Sequence, residues 1–452
     1  MLDAHVSTGE MLPKIHTVRI YVTLIAVGIC TTICCAQEPS TQPYAAIDRS
    51  SVSYNGPGRD VGHDLIGPDV RIGLLAPLAG TQEAEGVALR RAAELAIEDE
   101  NADGLPGGVH LRLVVRDESG PWGQAATEIA HLTFDDNAVA LITSADGASA
   151  HLAEQVANKI GVPVLTLASD ATTTEINLPW IFRLGATDAA QARAFARDIY
   201  SERKLQRVLL VTEDDHDGRA GGGAFEKVAA ELGAVAPTRI VVPAPAASAP
   251  VGASGAGPVQ NGAGPGRSGA GAGPNSASGG LDGAGGGPNA VRPYDFPDAQ
   301  AVVFWTDAAT AEPLVARARA AMPAAPFYLC RKAVQAEGNA RVEHEAARRP
   351  HESKSGGEGG IWIVEPSGIR SDRSAVLAQA YRHRFGAEPS PGAAEAYDAV
   401  RVLAASLRHA GANRARVRDA LAGVTAFPGA SGVISFDHAG NDTSLVTLSI
   451  LK

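Results

Sequence analysis

The sequence predicts an α/β fold built on parallel sheets, and two observations support this prediction. From Val70 to Gly185, short apolar runs typical of buried strands alternate with long helical patterns. Each apolar run ends in a small, polar turn, and in open α/β sheets such turns gather at the edge where ligands bind. The pattern therefore predicts a binding cleft.

The predicted elements alternate along almost the whole chain. In the first half they are the strand VRIGLLAP, the helix GVALRRAAELAIEDENADG, the strands HLRLVVRD, VALIT and GVPVLTLAS, the helix ARAFARDIYSERKLQ, the strand VLLVTEDD, the helix GAFEKVAAELGA and the strand TRIVVP. In the second half they are the strand AQAVVFWTD, the helix AEPLVARARAAM, the strands PFYLC and IWIVEPS, the helices SAVLAQAYRHRFG, PGAAEAYDAVRVLAASLRHAG and RARVRDALAGV, and the strands GVISFD and SLVTLSILK.

Residues 1–36 are predicted to be a secretory signal peptide. Basic residues precede an apolar run from Ile20 to Ala36, and a polar stretch follows it. A membrane anchor is the alternative, but the run is short for a bilayer and is interrupted by hydroxyl and glycine residues. Cys34 and Cys35 are candidate sites for lipid attachment, although the residues before them fit a bacterial lipobox poorly. Residues 37–69 lack periodicity and are predicted to be a disordered tether.

Residues 244–293 consist almost entirely of Ala, Gly, Pro, Ser and Asn. This composition buries too little apolar surface to offset chain entropy, so the segment is predicted to be disordered. A linker between independent domains is one interpretation. A surface-loop insertion within one domain is favoured, because the strand–helix alternation stops before the segment and resumes after it. Cys330 is the only cysteine in the body of the chain, which excludes an internal disulfide framework there.

Composition and motifs limit the possible functions. The formal charge of −11 and the lack of a basic block argue against a nucleic-acid partner. The sequence has no G-x-S-x-G elbow and no C-x-x-C or H-E-x-x-H spacing, so neither an enzyme nor a metal or cofactor is predicted. His151 and His216 fall among histidines scattered over helix surfaces and loops. At His216, beside three aspartates, a solvated acidic turn is favoured over a cation site.

Four stretches in a characteristic order suggest a family. They are IGLLAPLAG with the helix after it, GVPVLTLASDATTTE, IFRLGATDAAQARAFA, and the region from EAYDAVRVLAASLRHAG to GVISFDHAGN. They resemble the first strand and ligand loop, the fourth strand, the first crossover and the closing crossover of type I periplasmic substrate-binding proteins of the branched-chain amino-acid transporter group. The resemblance spans Val70 to Lys452 apart from the insertion.

The resemblance implies two Rossmann-like parallel-sheet lobes joined by three crossovers. Lobe one would comprise residues 70–185 and 368–425, and lobe two residues 186–367 and 426–452 with the insertion. It also implies a periplasmic monomer, either free or membrane-anchored, that captures a small amino-acid-like or polar ligand between its lobes for an ABC-transporter permease. A diverged sensor or scaffold of the same fold is the alternative, since fold alone does not decide function.

The turns at the predicted strand ends supply candidate ligand-binding residues. Gly80 and Gly86 would permit a tight turn and a close backbone approach. Backbone N–H groups beside Ser149 could hold a carboxylate, or Ser149 could simply cap its helix. Asp170 could contact the ligand or close an Asx-turn. The predicted ligand-binding residues are Gly80, Glu85, Gly147, Ser149, Ala168, Ser169, Asp170, Asp217 and Asp307.

Several positions depart from the family pattern. Glu85 and Asp217 stand where the family often has aromatic residues, and Asp170 adds a negative charge at a hydroxyl position. Arg331 and Lys332 lie near the position of a lobe-two acid that often pairs with the ligand's ammonium group. An apolar pocket for leucine or valine would need the aromatic walls, so a polar or cationic ligand is predicted.

Overall fold

The computed structural model describes Tyr54 and residues 58–60, 69–120, 123–175, 180–245, 296–334, 359–366 and 372–451. All of them belong to one compact unit, Ser50–Lys452. The predicted signal peptide, most of the tether and nearly all of the 244–293 insertion lie outside the described residues. None of the helices in these ranges is both long enough and apolar enough to cross a membrane.

The first sheet is fully parallel, with the strand order β2-β1-β3-β4-β5. Its strands are β1 Asp69–Ala76, β2 His110–Asp117, β3 Ala140–Thr143, β4 Val164–Thr166 and β5 Ile181–Arg183. The helices between them are α1 Glu83–Asp103, α2 Gln124–Ala130, α3 Gly147–Ile160 and α4 Thr172–Glu175. β3 is buried along its whole length. Continuous apolar runs of this kind are typical of parallel strands covered on both faces.

The second sheet has the order β13-β10-β9-β8-β6-β7, and only its edge strand β13 runs antiparallel. Its strands are β6 Val208–Glu213, β7 Thr238–Val242, β8 Ala301–Trp305, β9 Phe327–Leu329, β10 Ile361–Pro366 and β13 Val446–Ile450. Its helices are α5 Asp188–Ala196, α6 His216–Glu231 and α7 Ala308–Ala321, and a 3-10 turn, Arg331–Val334, follows β9. This sheet and its helices form lobe two, around a separate hydrophobic core.

Three later helices return to the first core, and with the first sheet they form lobe one. They are α8 Asp372–Phe385, α9 Pro391–Ala410 and α10 Arg414–Ala422. In the described ranges the chain passes between the cores at residues 184–187 and between 436 and 446, and β10 belongs to the second core whereas α8 belongs to the first.

A two-stranded ribbon, β11 Phe427–Pro428 and β12 Val433–Ile434, follows α10. Ile434 and Phe436 belong to the core of lobe one, where the Phe436 ring lies 5.3 Å from that of Phe182. The sequence analysis assigned residues 426–452 to lobe two, but of this segment only β13 joins the second sheet. The apolar contacts of the ribbon account for the difference.

Part of the predicted tether packs on lobe one. The ring of Tyr54 meets the ring of Trp180 edge-on at 4.9 Å. The Tyr54 backbone N–H donates to Asp419 Oδ1 on α10 at 2.7 Å, and Arg59 pairs with the same carboxylate. The described residues of the tether are therefore held in place, because an aromatic ring and a cation within it find partners on lobe one.

Candidate functional site

A cavity of about 270 Å³ lies between the lobes, at the carboxyl ends of their strands. Lobe one contributes the turns after β1 and β2 and the start of α3. Lobe two contributes the turns after β6, β7 and β8. The polar side chains lining it are Thr81, Gln82, Glu118, Ser119, Asp146, Ser149, Asp215 and Asp307. The location follows from topology, since parallel sheets present their strand ends at a single edge.

The turn after β1 depends on its two glycines, as the sequence predicts. Gly80 has a φ of +78°, in the left-handed region that side chains disfavour. A Cβ at Gly86 would lie 1.6 Å from the Pro77 carbonyl oxygen, so the close backbone approach is confirmed. Glu85 is buried beside this turn, and burial raises its pKa to about 7 against the opposing charge of Lys332.

Two further carboxyl groups near the cavity have raised pKa values. Burial, helped by the charge of Asp146, raises the pKa of Glu118 to about 8, although the nearby hydroxyls of Ser144 and Ser149 oppose the rise. Burial and the charge of Asp307 raise the pKa of Glu213 to about 8. Glu118 and Glu213 are therefore largely protonated at neutral pH.

The start of α3 is held by carboxylates from both lobes. Asp146 caps the helix by accepting the Ser149 backbone N–H at 2.7 Å. The Gly147 N–H donates across the lobes to Asp217 Oδ1 at 3.1 Å. A carboxylate is favoured there by the free N–H groups and the helix dipole. Thus Asp217 itself occupies the helix start at which a ligand carboxylate was expected.

Lys332 lies in the middle of these acids. Its ammonium group donates to Asp217 Oδ2 at 2.6 Å and lies 3.8 Å from Asp215 and 3.9 Å from Asp146 of lobe one. Burial alone would lower its pKa, but the three aspartates hold that pKa well above its usual value. Lys332 is therefore a buried cation that links the lobes.

Two histidines converge on Asp170. The Nε2 atoms of His216 and His151 lie 2.6 Å and 3.0 Å from its Oδ2 atom. The other oxygen accepts the Thr172 N–H and hydroxyl at 2.9 and 2.8 Å, which makes an Asx-turn. Burial opposes the change, yet these hydrogen bonds hold the pKa of Asp170 below its usual range.

The hydrogen bond to Asp170, with a second to Glu154, raises the pKa of His151 to about 9. From the sequence, His151 and His216 were expected to lie on helix surfaces or loops. A solvated acidic turn was favoured at His216. The structure corrects this, because α3 and α6 begin at facing edges of the two lobes.

The remaining predicted residues have other contacts. The buried Ala168 N–H donates to Thr166 Oγ1 at 3.2 Å. The Ser169 hydroxyl donates to Asp188 Oδ1 at 2.7 Å. Asp307 caps α7 through the Thr310 N–H at 2.7 Å and also lines the cavity. Of the nine predicted residues, Ser149 and Asp307 are the two among the cavity-lining side chains named above.

A buried ion pair lies where the chain crosses between the lobes. Arg331 of lobe two pairs with Glu395 of α9, and each side chain is only 5% exposed. Both lie against Gly185, whose φ of +82° belongs to the first crossover. The Arg331 N–H also donates to Gln191 Oε1 at 2.8 Å. The arrangement ties the lobes together on the crossover side of the cleft.

A family model and curated relatives match part of the chain. Residues 69–253 match the family model described as periplasmic binding protein. Glutamate receptor 3.4 of Arabidopsis thaliana is 31% identical over 138 residues, 30% of this chain and 14% of the receptor. An amino acid binding protein of Pseudomonas aeruginosa is 28% identical over 166 residues, 36% of this chain and 44% of that protein. The aligned region spans less than half the length of either relative.

Solved structures match over most of the chain. A leucine-binding protein from Thermotoga maritima has a TM-score of 0.63 at 19% identity, covering 85% of this chain and 95% of its own. An isoleucine-bound branched-chain amino acid transporter substrate-binding protein from Streptococcus pneumoniae has a TM-score of 0.62 at 19% identity. The match covers 84% of this chain and 99% of that protein. A benzoate-bound solute-binding protein from R. palustris has a TM-score of 0.62 at 18% identity. The match covers 85% of this chain and 93% of that protein. The chain thus has the type I periplasmic-binding fold, and its residues 69–253 match the periplasmic binding protein family model.

Proposed function

We propose that this chain is an extracytoplasmic solute-binding protein that captures a small cationic solute, such as one bearing an ammonium group, and does not alter it. The observation that carries the proposal is the lining of the interlobe cavity. Every titratable side chain among its described lining residues is a carboxyl: Glu118, Asp146, Asp215 and Asp307. Such a surface favours a positive ligand and repels an anion.

Lys332 does not pair with all of the carboxyl groups that line the cavity. Lys332 donates to Asp217 and lies 3.8–3.9 Å from Asp215 and Asp146, so within the described chain its salt bridges do not reach the two other lining carboxyls, Glu118 and Asp307. Neither oxygen of Glu118 has a hydrogen-bond partner of good geometry within the described residues, and both are buried. The Ser144 and Ser149 hydroxyls lie near this carboxyl, but no salt bridge within the described residues neutralises it, so a cation placed beside it gains a strong charge-assisted contact. Glu118 is therefore the residue proposed to face the solute's positive group.

The occupied helix start also bears on the solute. The N–H groups of Gly147 and Ser149 already donate to Asp217 and Asp146. A free amino acid that placed its carboxylate there would have to displace a side chain held by Lys332. This supports a solute whose main charged group is positive, in place of a branched-chain amino acid.

Family and fold support the proposed setting. Proteins of the periplasmic binding family act outside the cytoplasm, and the solved relatives include ABC-transporter substrate-binding proteins with bound small molecules. We therefore propose an ABC-transporter permease as the partner that receives the solute.

Native mass spectrometry of the purified chain tests this proposal. We expect a co-purified small cation of unchanged mass after release. Glu118→Gln and Asp307→Asn should each weaken its binding about tenfold or more. Glu128→Gln is the matched control, because Glu128 pairs with Arg116 away from the cavity. A bound anionic or apolar solute, or full affinity in both cavity variants, would refute the assignment.

A further inference from the structure

Beside the cavity lies a second arrangement suited to a cation, and it is independent of the proposed solute. We propose that His151, Asp170 and His216 bind one divalent transition-metal ion of the zinc class, and that this ion joins lobe one to lobe two. His151 and Asp170 belong to lobe one, at α3 and at the turn after β4. His216 begins α6 of lobe two.

The donor atoms are already close together. One atom from each residue lies within 4.8 Å of the other two, and the two Nε2 atoms lie 2.6 and 3.0 Å from the same Asp170 oxygen. Tetrahedral zinc holds its ligand atoms about 3.3 Å apart, so each histidine–aspartate pair would open by a fraction of an ångström, and the two imidazole nitrogens would adjust to the same spacing. Two imidazoles with one carboxylate suit zinc, cobalt, nickel or copper, whereas magnesium and calcium prefer oxygen ligands.

A buried carboxylate orients one of the imidazoles. Glu154 Oε2 lies 3.0 Å from His151 Nδ1, and the Glu154 side chain is 3% exposed. When a carboxylate accepts the N–H of one ring nitrogen, the other nitrogen is directed to a metal as a ligand. The Nε2 atoms of both histidines point at one anionic oxygen, so either a ring proton or a shared cation must lie between each nitrogen and that oxygen. One divalent ion supplies the charge that two ring protons would otherwise supply.

The site is open on one side. The His151 and His216 side chains are 22% and 38% exposed, whereas Asp170 is 3% exposed. An ion can therefore enter from the solvent and meet a buried, fixed carboxylate. Because its ligands come from both lobes, the ion binds only when the lobes are together, and it shifts the population toward that arrangement.

Zinc titration of the chelator-treated, untagged full chain at about pH 8 tests the proposal, since zinc binding releases the ring protons and a higher pH favours that exchange. We expect one site by calorimetry, a matching Co²⁺ absorption band, and no binding of Mg²⁺ there. His151→Gln and His216→Gln should each lose about 100-fold in zinc affinity, and Glu154→Gln about tenfold. His131→Gln should change affinity less than about twofold, because His131 pairs only with Asp135 on a helix surface in the described chain.

The chain has 12 histidines and 4 cysteines, any of which can bind zinc. Only zinc binding that is lost in the His151 and His216 variants is therefore evidence for this site. Equal zinc affinity in the wild type and both variants overturns the proposal. Loss in Glu118→Gln with retention in His216→Gln also overturns it, because the ion would then lie in the acidic cavity. Circular dichroism shows that the variants are folded. If the chain binds zinc at this site but binds no cationic solute in the cavity, this inference is supported and the proposed function is refuted.

Discussion

At the scale of single residues, the chemistry of the cleft is set by carboxyl groups withdrawn from water. Burial disfavours their charged form, and the buried cation Lys332 is in contact with Asp217. Glu118, with its pKa near 8, therefore exchanges a proton for a bound cation in the physiological range.

This exchange predicts that solute affinity depends on pH. A cation favours ionised Glu118, so affinity should rise about tenfold or more between pH 6.5 and pH 8.5 as the carboxyl loses its proton. Glu118→Gln should match the wild type at the lower pH, bind more weakly at the higher pH and show a flatter profile. Calorimetry at both values measures this. An affinity that falls with pH, or an equally steep profile in the variant, would contradict the role of Glu118.

Which residues line the cleft could be predicted only in part from sequence. Ser149 and Asp307 were predicted and line the cavity, and Gly80 and Gly86 were identified in the turn beside it because turn geometry is local. Glu118 was missed although it follows β2 directly, so the strand-end rule applied to β2 would have found it. Contacts such as His216 with Asp170 join residues 46 positions apart. No periodicity within one segment reports a contact between lobes.

At the scale of elements, the starts of α3 and α6 face each other with almost no space between them. A Cβ at Gly147 would lie 2.3 Å from Asp217 Oδ1 and 2.9 Å from His216 Cδ2, both in α6. Such distances are far below van der Waals contact. The absence of a side chain at Gly147 is therefore what allows the two lobes to meet here.

Gly147→Ala should keep the lobes apart. Asp217 must withdraw, which breaks its contacts with Gly147 and Lys332, so solute affinity should fall about tenfold or more while each lobe stays folded. Gly223→Ala on α6 is the control, since a Cβ at Gly223 meets nothing within 4 Å. Small-angle scattering and calorimetry on both variants test this. Unchanged affinity in Gly147→Ala would show that the contact is dispensable.

The ion pair at the crossover predicts a loss of stability. Glu395→Gln leaves the buried Arg331 guanidinium without its carboxylate, so the free energy of unfolding should fall by about 3–5 kcal/mol. Urea denaturation followed by tryptophan fluorescence measures the change. The double variant Arg331→Met/Glu395→Met should recover most of it, because no charge is then left buried. A loss below about 1 kcal/mol in the single variant would contradict a buried pair.

The order of the elements was readable because buried parallel strands and amphipathic helices have different periods. The lobe against which a short segment packs was not readable from the sequence. The ribbon β11–β12 carries few residues, and its place in lobe one is decided by contacts such as Phe436 with Phe182. Tyr54 likewise lies in a stretch without periodicity, and its partner Trp180 is far along the chain.

At the scale of the whole molecule, the raised carboxyl pKa values oppose stability at alkaline pH. Glu85, Glu118 and Glu213 have pKa values of about 7, 8 and 8 in the folded state, against 4.5 for an ordinary glutamate. Between these values the folded chain keeps protons that the unfolded chain has released. Raising the pH through this window therefore favours unfolding.

Without solute or metal, the free energy of unfolding should decrease as the pH rises above 5, by at most about 1.4 kcal/mol per pH unit for each titrating group. Glu85 contributes up to about pH 7, and Glu118 and Glu213 up to about pH 8. Urea denaturation at several pH values gives the slope, and Glu118→Gln should reduce it because one titrating group is removed. A free energy that rises across this range would show that these carboxyls ionise normally.

The central claim is that an acidic cavity between two lobes binds a small cation. Calorimetric titration of the ligand-free chain with a panel of ammonium-bearing solutes, beside leucine and benzoate, tests it most directly. The account predicts one binding site of micromolar or tighter affinity for a cationic member of the panel, with leucine and benzoate far weaker. Tight binding of leucine, with none of the cations bound, would contradict it.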